Sequence, residues 1–537
     1  MHLSKSLLFS DEEFNYNSIL NGTSIRGSYN TMQFVLRLRD DIRKALNNKE
    51  IDFETIQASS TSLHENIHWW QHIGSNFGFL YSLSYPAFAH LSKENLDNLI
   101  ADNIRYKSLI RFDEEYYKKT GKTDILDVNT ILNNYYDIEY AKLFALDNKN
   151  IKEIIKDNRF FLHLGHCYNI LWAAAIETIA SVIDRDHLFL PKPDNWISAF
   201  RELTDKNING FFIDSPMTVA PLGIKAIYEG QARFIQMQYL TVALNPDLTF
   251  LDFENIGMLD GVYSEAFDLF LNITGLEKPT SIVDSIVGLF LLVCDLAINP
   301  NNGFPLEIYD YENFINKNDP GIRFFLLCVS ISESAKTYCN ELSHYTKEEY
   351  IYLSKKLSES IGCKCPYESI QNVLDWANEN EVAKVLNEEE DLQFSQENLP
   401  IRIMFSKYFR FQEDKLKYPN VFCWFGLYAR SGNPNIEFEV VDSIYQKHHA
   451  LFTDDYDGEI KPVIFKGRKE ENIIKSFNEF YNFNIVYDLI LKWVYEEGPF
   501  NLNYKWLVNE RAEKYESIVK RDFEKIFNIS MEDITIL

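Results

Sequence analysis

The chain has 537 residues, a formal net charge of −26 and 46% hydrophobic residues, including 40 Phe and 31 Tyr. This composition excludes a disordered chain, and the acidic balance argues against nucleic acid or an anionic membrane surface as a partner. The seven cysteines are odd in number and scattered along the chain, which is typical of free thiols in a reducing compartment. The N-terminal apolar run is too short for a signal peptide. We therefore expect a cytoplasmic protein.

In chain order, the hydrophobic pattern predicts a mainly α-helical protein. Residues 31–39 predict a strand, and a charged helix follows from Asp40. From about residue 53 to 380, apolar residues recur three and four positions apart, which indicates helices separated by Pro, Asn and Gly turns. The most hydrophobic segment, residues 285–294, is too short to span a membrane and ends at Asp295. We expect it to be a buried helix.

The last third of the chain has a different pattern. Its acidic run at residues 378–393 is typical of an exposed boundary between domains. Three later segments have the composition of strands, namely residues 400–411, 420–430 and 455–467. Helices return after the last of them. We therefore predict a helix-rich region at residues 1–385 and a smaller mixed α/β region at residues 386–537.

The stretch His-Glu-Asn-Ile-His lies within a predicted helix over residues 60–73. On a helix, His64 and His68 are about one turn apart on one face, where two imidazoles can bind one zinc ion. Glu65 is then placed to take a proton from a metal-bound water. The alternative is that Ser62 and Glu65 form a capping box at a helix start, which accounts for Glu65 but for neither histidine.

A catalytic zinc ion usually has three protein ligands, so the third must come from elsewhere in the chain. Glu229 is the first candidate because it lies in an apolar helical stretch, where a lone carboxylate is unfavourable to bury. The alternative for Glu229 is an ion pair with Arg233 on an exposed turn. Glu177 is a second candidate, as a ligand or as a partner of a ligand histidine. His72 is too far along the helix to bind the same ion as His64. It is expected either to contact a ligand or the substrate, or to be a polar side chain satisfied within the core. Arg233 is a further candidate for contact with a ligand.

The His-Glu-x-x-His motif, followed by Glu-Gly-x-Ala at Glu229, resembles the motifs of gluzincin metallopeptidases of the aminopeptidase-N-like type. The resemblance implies a zincin-like core with large helical insertions and one zinc ion bound by His64, His68 and Glu229. It also implies that Glu65 is the general base of peptide hydrolysis. The spacing between the motifs is longer than in the aminopeptidases, and their Gly-x-Met-Glu-Asn motif is absent. Aminopeptidase specificity is therefore not implied.

Two other functions stay open from the sequence. One is a di-iron carboxylate oxidase or oxygenase, built from two Glu-x-x-His motifs and two further helical glutamates. Its ligands would be Glu65, His68, Glu177, Glu229, Glu341 and His344. The other is a non-catalytic helical scaffold or inactive peptidase. The peptidase hypothesis predicts a selective intracellular protease that acts on a peptide or protein substrate. Its selectivity would come from a narrow cleft, a dedicated substrate or a regulatory protein partner.

Overall fold

A computed structural model describes residues 3–8, 34–48, 52–429, 436–455, 459–504, 507 and 512–537. Within these residues the protein is mainly α-helical, as the periodicity predicts. The helices up to residue 300 are α1 (Lys5–Leu8), α2 (Asp40–Leu46), α3 (Phe53–Gly74), α4 (Asn76–Ala101), α5 (Leu109–Thr120), α6 (Leu126–Leu146), α7 (Ile151–Ile154), α8 (Leu164–Ile183), α9 (Ile197–Asp205), α10 (Ile224–Ala243), α11 (Phe250–Asn255), α12 (Val262–Thr274) and α13 (Ser285–Ile298).

The later helices are mostly shorter and fill the second half of the chain. They are α14 (Phe314–Asn318), α15 (Pro320–Ser332), α16 (Ala335–Asn340), α17 (Lys347–Ser360), α18 (Pro366–Asp375), α19 (Asn380–Asp391), α20 (Leu399–Lys417), α21 (Pro419–Cys423), α22 (Phe425–Tyr428), α23 (Phe438–Lys447), α24 (Glu470–Tyr495) and α25 (Ala512–Phe527).

The strands are short and form two small sheets in the described part of the chain. They are β1 (Val35–Leu36), β2 (Tyr106–Lys107), β3 (Phe452–Asp454), β4 (Ile460–Pro462) and β5 (Thr535–Ile536). The first sheet has the order β1-β3-β4, with β1 parallel to β3 and β3 antiparallel to β4. In the second sheet, β2 pairs in parallel with β5. The strand predicted near residue 35 is confirmed, while residues 31–33 lie outside the described ranges.

Helix α3 positions the His-Glu-x-x-His motif in its interior. The helix begins after Asp52, whose side chain accepts a hydrogen bond from the Thr55 N–H, and it continues to Gly74. Ser62 and Glu65 are thus far from the helix start, so the capping-box interpretation is wrong. The apolar stripe that includes Leu63 is buried against the core, as predicted.

Helix α10 carries Glu229 and packs along α3, with α12 and α22 on its other sides. The helix begins directly after Gly223, which lies against the end of α6. A Cβ atom at Gly223 would be 2.5 Å from the Leu146 carbonyl oxygen, so only glycine allows this approach. Inside the helix, the Phe234 ring packs 4.5 Å from the Phe267 ring of α12. These contacts hold α10 in place beside α3.

The C-terminal region differs from its prediction. Segments 400–411 and 420–429 are helical and belong to α20, α21 and α22, so the strand prediction for them is wrong. Their aromatic residues are buried on nearly all sides, and such continuous apolar runs do not distinguish strand from buried helix. The third segment predicted as a strand, residues 455–467, does contain β4. The acidic run predicted as an exposed boundary forms α19, where Glu389 is only 4% exposed.

The boundary predicted after residue 385 lies within α19. One hydrophobic core extends across the described residues on both sides of it. Helix α13 is buried there, as predicted. Helix α8 is the one described helix long and apolar enough to cross a membrane. However, 67% of its most apolar stretch is buried inside the protein. It therefore packs like the core helix of a soluble protein. All seven cysteines are free thiols.

Candidate metal centre

Three ligand atoms from α3 and α10 meet in the core. His64 Nε2 and His68 Nε2 are 3.3 Å apart, and each lies 3.6 Å from Glu229 Oε2. The side chains of His64 and Glu229 are 0% and 1% exposed, and that of His68 is 10% exposed. Of the described residues, these three form the one group of at least three histidine, cysteine or acidic ligand atoms close enough for a metal ion.

The spacing of these atoms fits a tetrahedral zinc site. Zinc bonds to nitrogen and oxygen are about 2.0–2.2 Å long, so ligand atoms at tetrahedral corners lie about 3.3–3.6 Å apart. The three observed distances fall in this range. By contrast, 3.6 Å is too long for a good hydrogen bond from either imidazole to Glu229 Oε2. The geometry and the two-histidine, one-carboxylate donor set therefore fit a zinc ion.

The protonation states of the three residues differ because their surroundings differ. Burial, and after it the nearby charge of Arg233, lower the pKa of His64 to about 3. Burial also opposes the charged form of His68, but the Glu229 carboxylate outweighs it and raises the pKa of His68 to about 9. Burial raises the pKa of Glu229, yet the two imidazoles bring it below its usual value. The carboxylate is therefore ionised and available to a cation.

Glu65 follows His64 directly on α3, so its side chain points about 100° further round the helix. It is 7% exposed, and its charge is one of those that raise the pKa of His68. The residue predicted as the general base thus lies in the same buried region as the ligand atoms.

Arg233 and Tyr263 border the site on the side of His64. The Tyr263 ring lies 6.2 Å from the His64 ring, and the Arg233 guanidinium is 4.2 Å from the centre of the Tyr263 ring. Arg233 also donates hydrogen bonds to the Leu8 carbonyl oxygen and to Gln236. Glu229 is fully buried, so it is not part of an ion pair on an exposed turn.

His72 lies beyond the ligand group on α3. Its ring packs edge-on against the Tyr228 ring at 5.3 Å, and its Nδ1 is 3.5 Å from the Ser82 hydroxyl. Burial lowers the pKa of His72 to about 3, so it is a neutral residue of the packed interior.

Glu177 does not reach the site. Its side chain is 45% exposed and pairs with His187 at 3.2 Å, so the expectation that it binds the metal or a ligand histidine is wrong. The second di-iron motif is also elsewhere. Glu341 pairs with Lys356 at 2.6 Å, and His344 is exposed. The six residues of the di-iron hypothesis are therefore not brought together.

Sequence reasoning missed Gln71, which contacts His68, and Tyr263, which borders His64. Gln71 had a detectable signal, because residues three apart on a helix are neighbours. Tyr263 had none, since it is one of 31 tyrosines. Comparison of the chain with protein-family models, curated proteins and solved structures finds no match.

Proposed function

We propose that this chain is a cytoplasmic zinc-dependent peptidase in which His64, His68 and Glu229 hold the metal. The observation that carries the proposal is the triangle of ligand atoms, whose sides of 3.3, 3.6 and 3.6 Å match tetrahedral zinc coordination. The adjacent Glu65 supports peptidase chemistry, because two histidines and a following glutamate on one helix are typical of metallopeptidases.

The charges at the site indicate which chemical role each group would have in peptide hydrolysis. Zinc in this position supplies Lewis acidity, polarising a carbonyl group and lowering the pKa of a water molecule. Glu65 accepts a proton from the attacking water and donates it to the leaving amine. His64 is neutral and Glu229 ionised before any cation arrives, whereas His68 would lose its extra proton on binding the metal.

The substrate is a peptide or protein segment thin enough to reach a buried centre. Two of the three ligand side chains are at most 1% exposed, so a folded surface cannot approach them directly. We therefore propose a selective intracellular protease that acts with a regulatory protein partner. The net charge of −26 disfavours nucleic acid and anionic membranes as partners, and seven free thiols suit the cytoplasm.

The test is Glu65→Gln, assayed for zinc content and for cleavage of a fluorescence-quenched peptide library. We expect about one zinc per chain in both proteins and a loss of cleavage of about 10²–10⁴-fold in the variant. Glu54→Gln is the matched control, because Glu54 is an exposed residue in the first turn of the same helix. Full cleavage by Glu65→Gln would contradict the role of Glu65, and two irons per chain would contradict the zinc site.

A further inference from the structure

A chain of buried polar contacts joins His68 to helix α10. His68 Nδ1 lies 2.8 Å from Gln71 Oε1. The amide nitrogen of Gln71 donates to the Tyr228 carbonyl oxygen at 2.9 Å and to Gln231 Oε1 at 3.0 Å. Gln71 is 2% exposed, so these contacts are shielded from water. The side chain of Gln71 therefore connects the two helices that carry the ligands.

The hydrogen-bonding partners of Gln71 determine how its amide group is oriented and which nitrogen of His68 is protonated. A backbone carbonyl oxygen only accepts hydrogen bonds, so the NH₂ group of Gln71 must face Tyr228. The amide oxygen of Gln71 must then face His68, which places a proton on His68 Nδ1. The other ring nitrogen, Nε2, is the atom that lies beside His64 and Glu229. Nε2 is thus the nitrogen that can bind a metal, once the proton that the Glu229 carboxylate favours there has left.

We propose that Gln71 is a positioning residue that holds His68 in the metal-binding tautomer and keeps α3 in register with α10. The proposal rests on the metal site of the proposed function, although not on the reaction that the site performs. Ligand histidines usually donate their second N–H to a carboxylate, a backbone carbonyl or water. Here an uncharged amide takes that place. It orients the ring without adding negative charge, so a bound cation would meet one carboxylate and two neutral imidazoles after His68 has lost its extra proton.

Gln71→Met tests this role because it keeps a similar volume and removes both hydrogen-bonding groups. We expect zinc affinity, measured by competition with a chromophoric chelator, to fall about 10–100-fold. Gln71→Glu restores an acceptor for His68 Nδ1 but not the donor to the Tyr228 carbonyl oxygen. Its zinc affinity should therefore return to within a few-fold of that of the unaltered protein, although its thermal stability stays low. A merely structural role would leave the zinc affinities of the two variants equal to each other.

Gln412→Met is the matched control. Gln412 is also a buried glutamine, and it donates to a carbonyl oxygen of the same helix, at Gly74, without contacting a ligand histidine. We expect its zinc affinity to be unchanged. Equal affinity in Gln71→Met and the unaltered protein would overturn the positioning role while leaving the proposed function intact.

A second measurement does not depend on bound metal. In the metal-free protein labelled with ¹⁵N-histidine and held at a pH above the His68 pKa of about 9, NMR should report a proton on Nδ1 of His68 and none on Nε2, with the signal assigned by its loss in His68→Ala. An unprotonated Nδ1 would overturn the inference and leave the proposed function intact, whereas a protein that binds no zinc would overturn both.

Discussion

His68 and His72 are one turn apart on α3, yet they belong to different environments. Each step of four residues turns a helix by about 400°, so side chains four apart drift about 40° round its axis. From His64 to His72 the drift is about 80°, with a rise of about 12 Å. His68 still faces the Glu229 carboxylate, whereas His72 packs against Tyr228 and Ser82. A third histidine on the same helix is therefore not a third ligand.

His72→Leu is expected to keep zinc, with about one ion per chain by elemental mass spectrometry, because His72 contributes no atom to the ligand triangle. Replacing one buried side chain by another of similar volume should change the free energy of unfolding by less than about 1.5 kcal/mol. His68→Leu is the comparison and should lose the metal. Loss of zinc from His72→Leu would show that His72 supports the site after all.

At the scale of elements, a buried ionic cluster joins α19 to α20. Glu389 of α19 accepts hydrogen bonds from Lys407 at 2.7 Å and from Arg410 at 3.2 Å, and Arg468 lies 3.6 Å away. Burial raises the pKa of Glu389, but these three cations outweigh it and lower the pKa to about 2. The acidic run is thus attached to the core by its one buried carboxylate.

Glu389→Gln should lower the free energy of unfolding at pH 7 by about 3 kcal/mol, because it leaves buried cations without their counter-charge. The pKa of Glu389 is depressed on folding, so its contribution is complete above the ordinary value of 4.5 and is lost as pH falls towards 2. The difference between the two proteins in urea unfolding should therefore shrink between pH 4.5 and 2. Glu390→Gln, at a side chain 66% exposed, should have an effect of less than about 1 kcal/mol. A pH-independent difference for Glu389→Gln would contradict this account.

In the whole molecule, the helix of the candidate metal site depends on residues far along the chain. The Asn66 side chain accepts a hydrogen bond from the Ala450 N–H at 2.8 Å, and Trp70 Nε1 donates to the His448 carbonyl oxygen at 2.8 Å. Helix α20 packs against α3, and Lys415 donates to the Gly74 carbonyl oxygen at the end of α3. The motif therefore lies in a core that both predicted regions build.

A fragment of residues 1–385 is accordingly expected not to fold cooperatively and not to bind zinc. Removing the rest of the chain would expose the buried face of α3 and leave β1 without its partner β3. Circular dichroism melting and zinc content would check this. A fragment with a sharp thermal transition and one bound zinc would instead establish residues 1–385 as an independent domain.

The sequence by itself determined the helical class, the position of β1 and the helix that bears His64 and His68. These features follow from local periodicity and spacing, which depend only on neighbouring residues. It also singled out Glu229 and Glu177 as candidates, since a lone carboxylate in an apolar helix requires a partner. Only the tertiary structure decided between Glu229 and Glu177, because burial and distance are properties of packing rather than of spacing. The same holds for Gln71 and for the helices at residues 399–428, where contacts from distant elements determine the outcome.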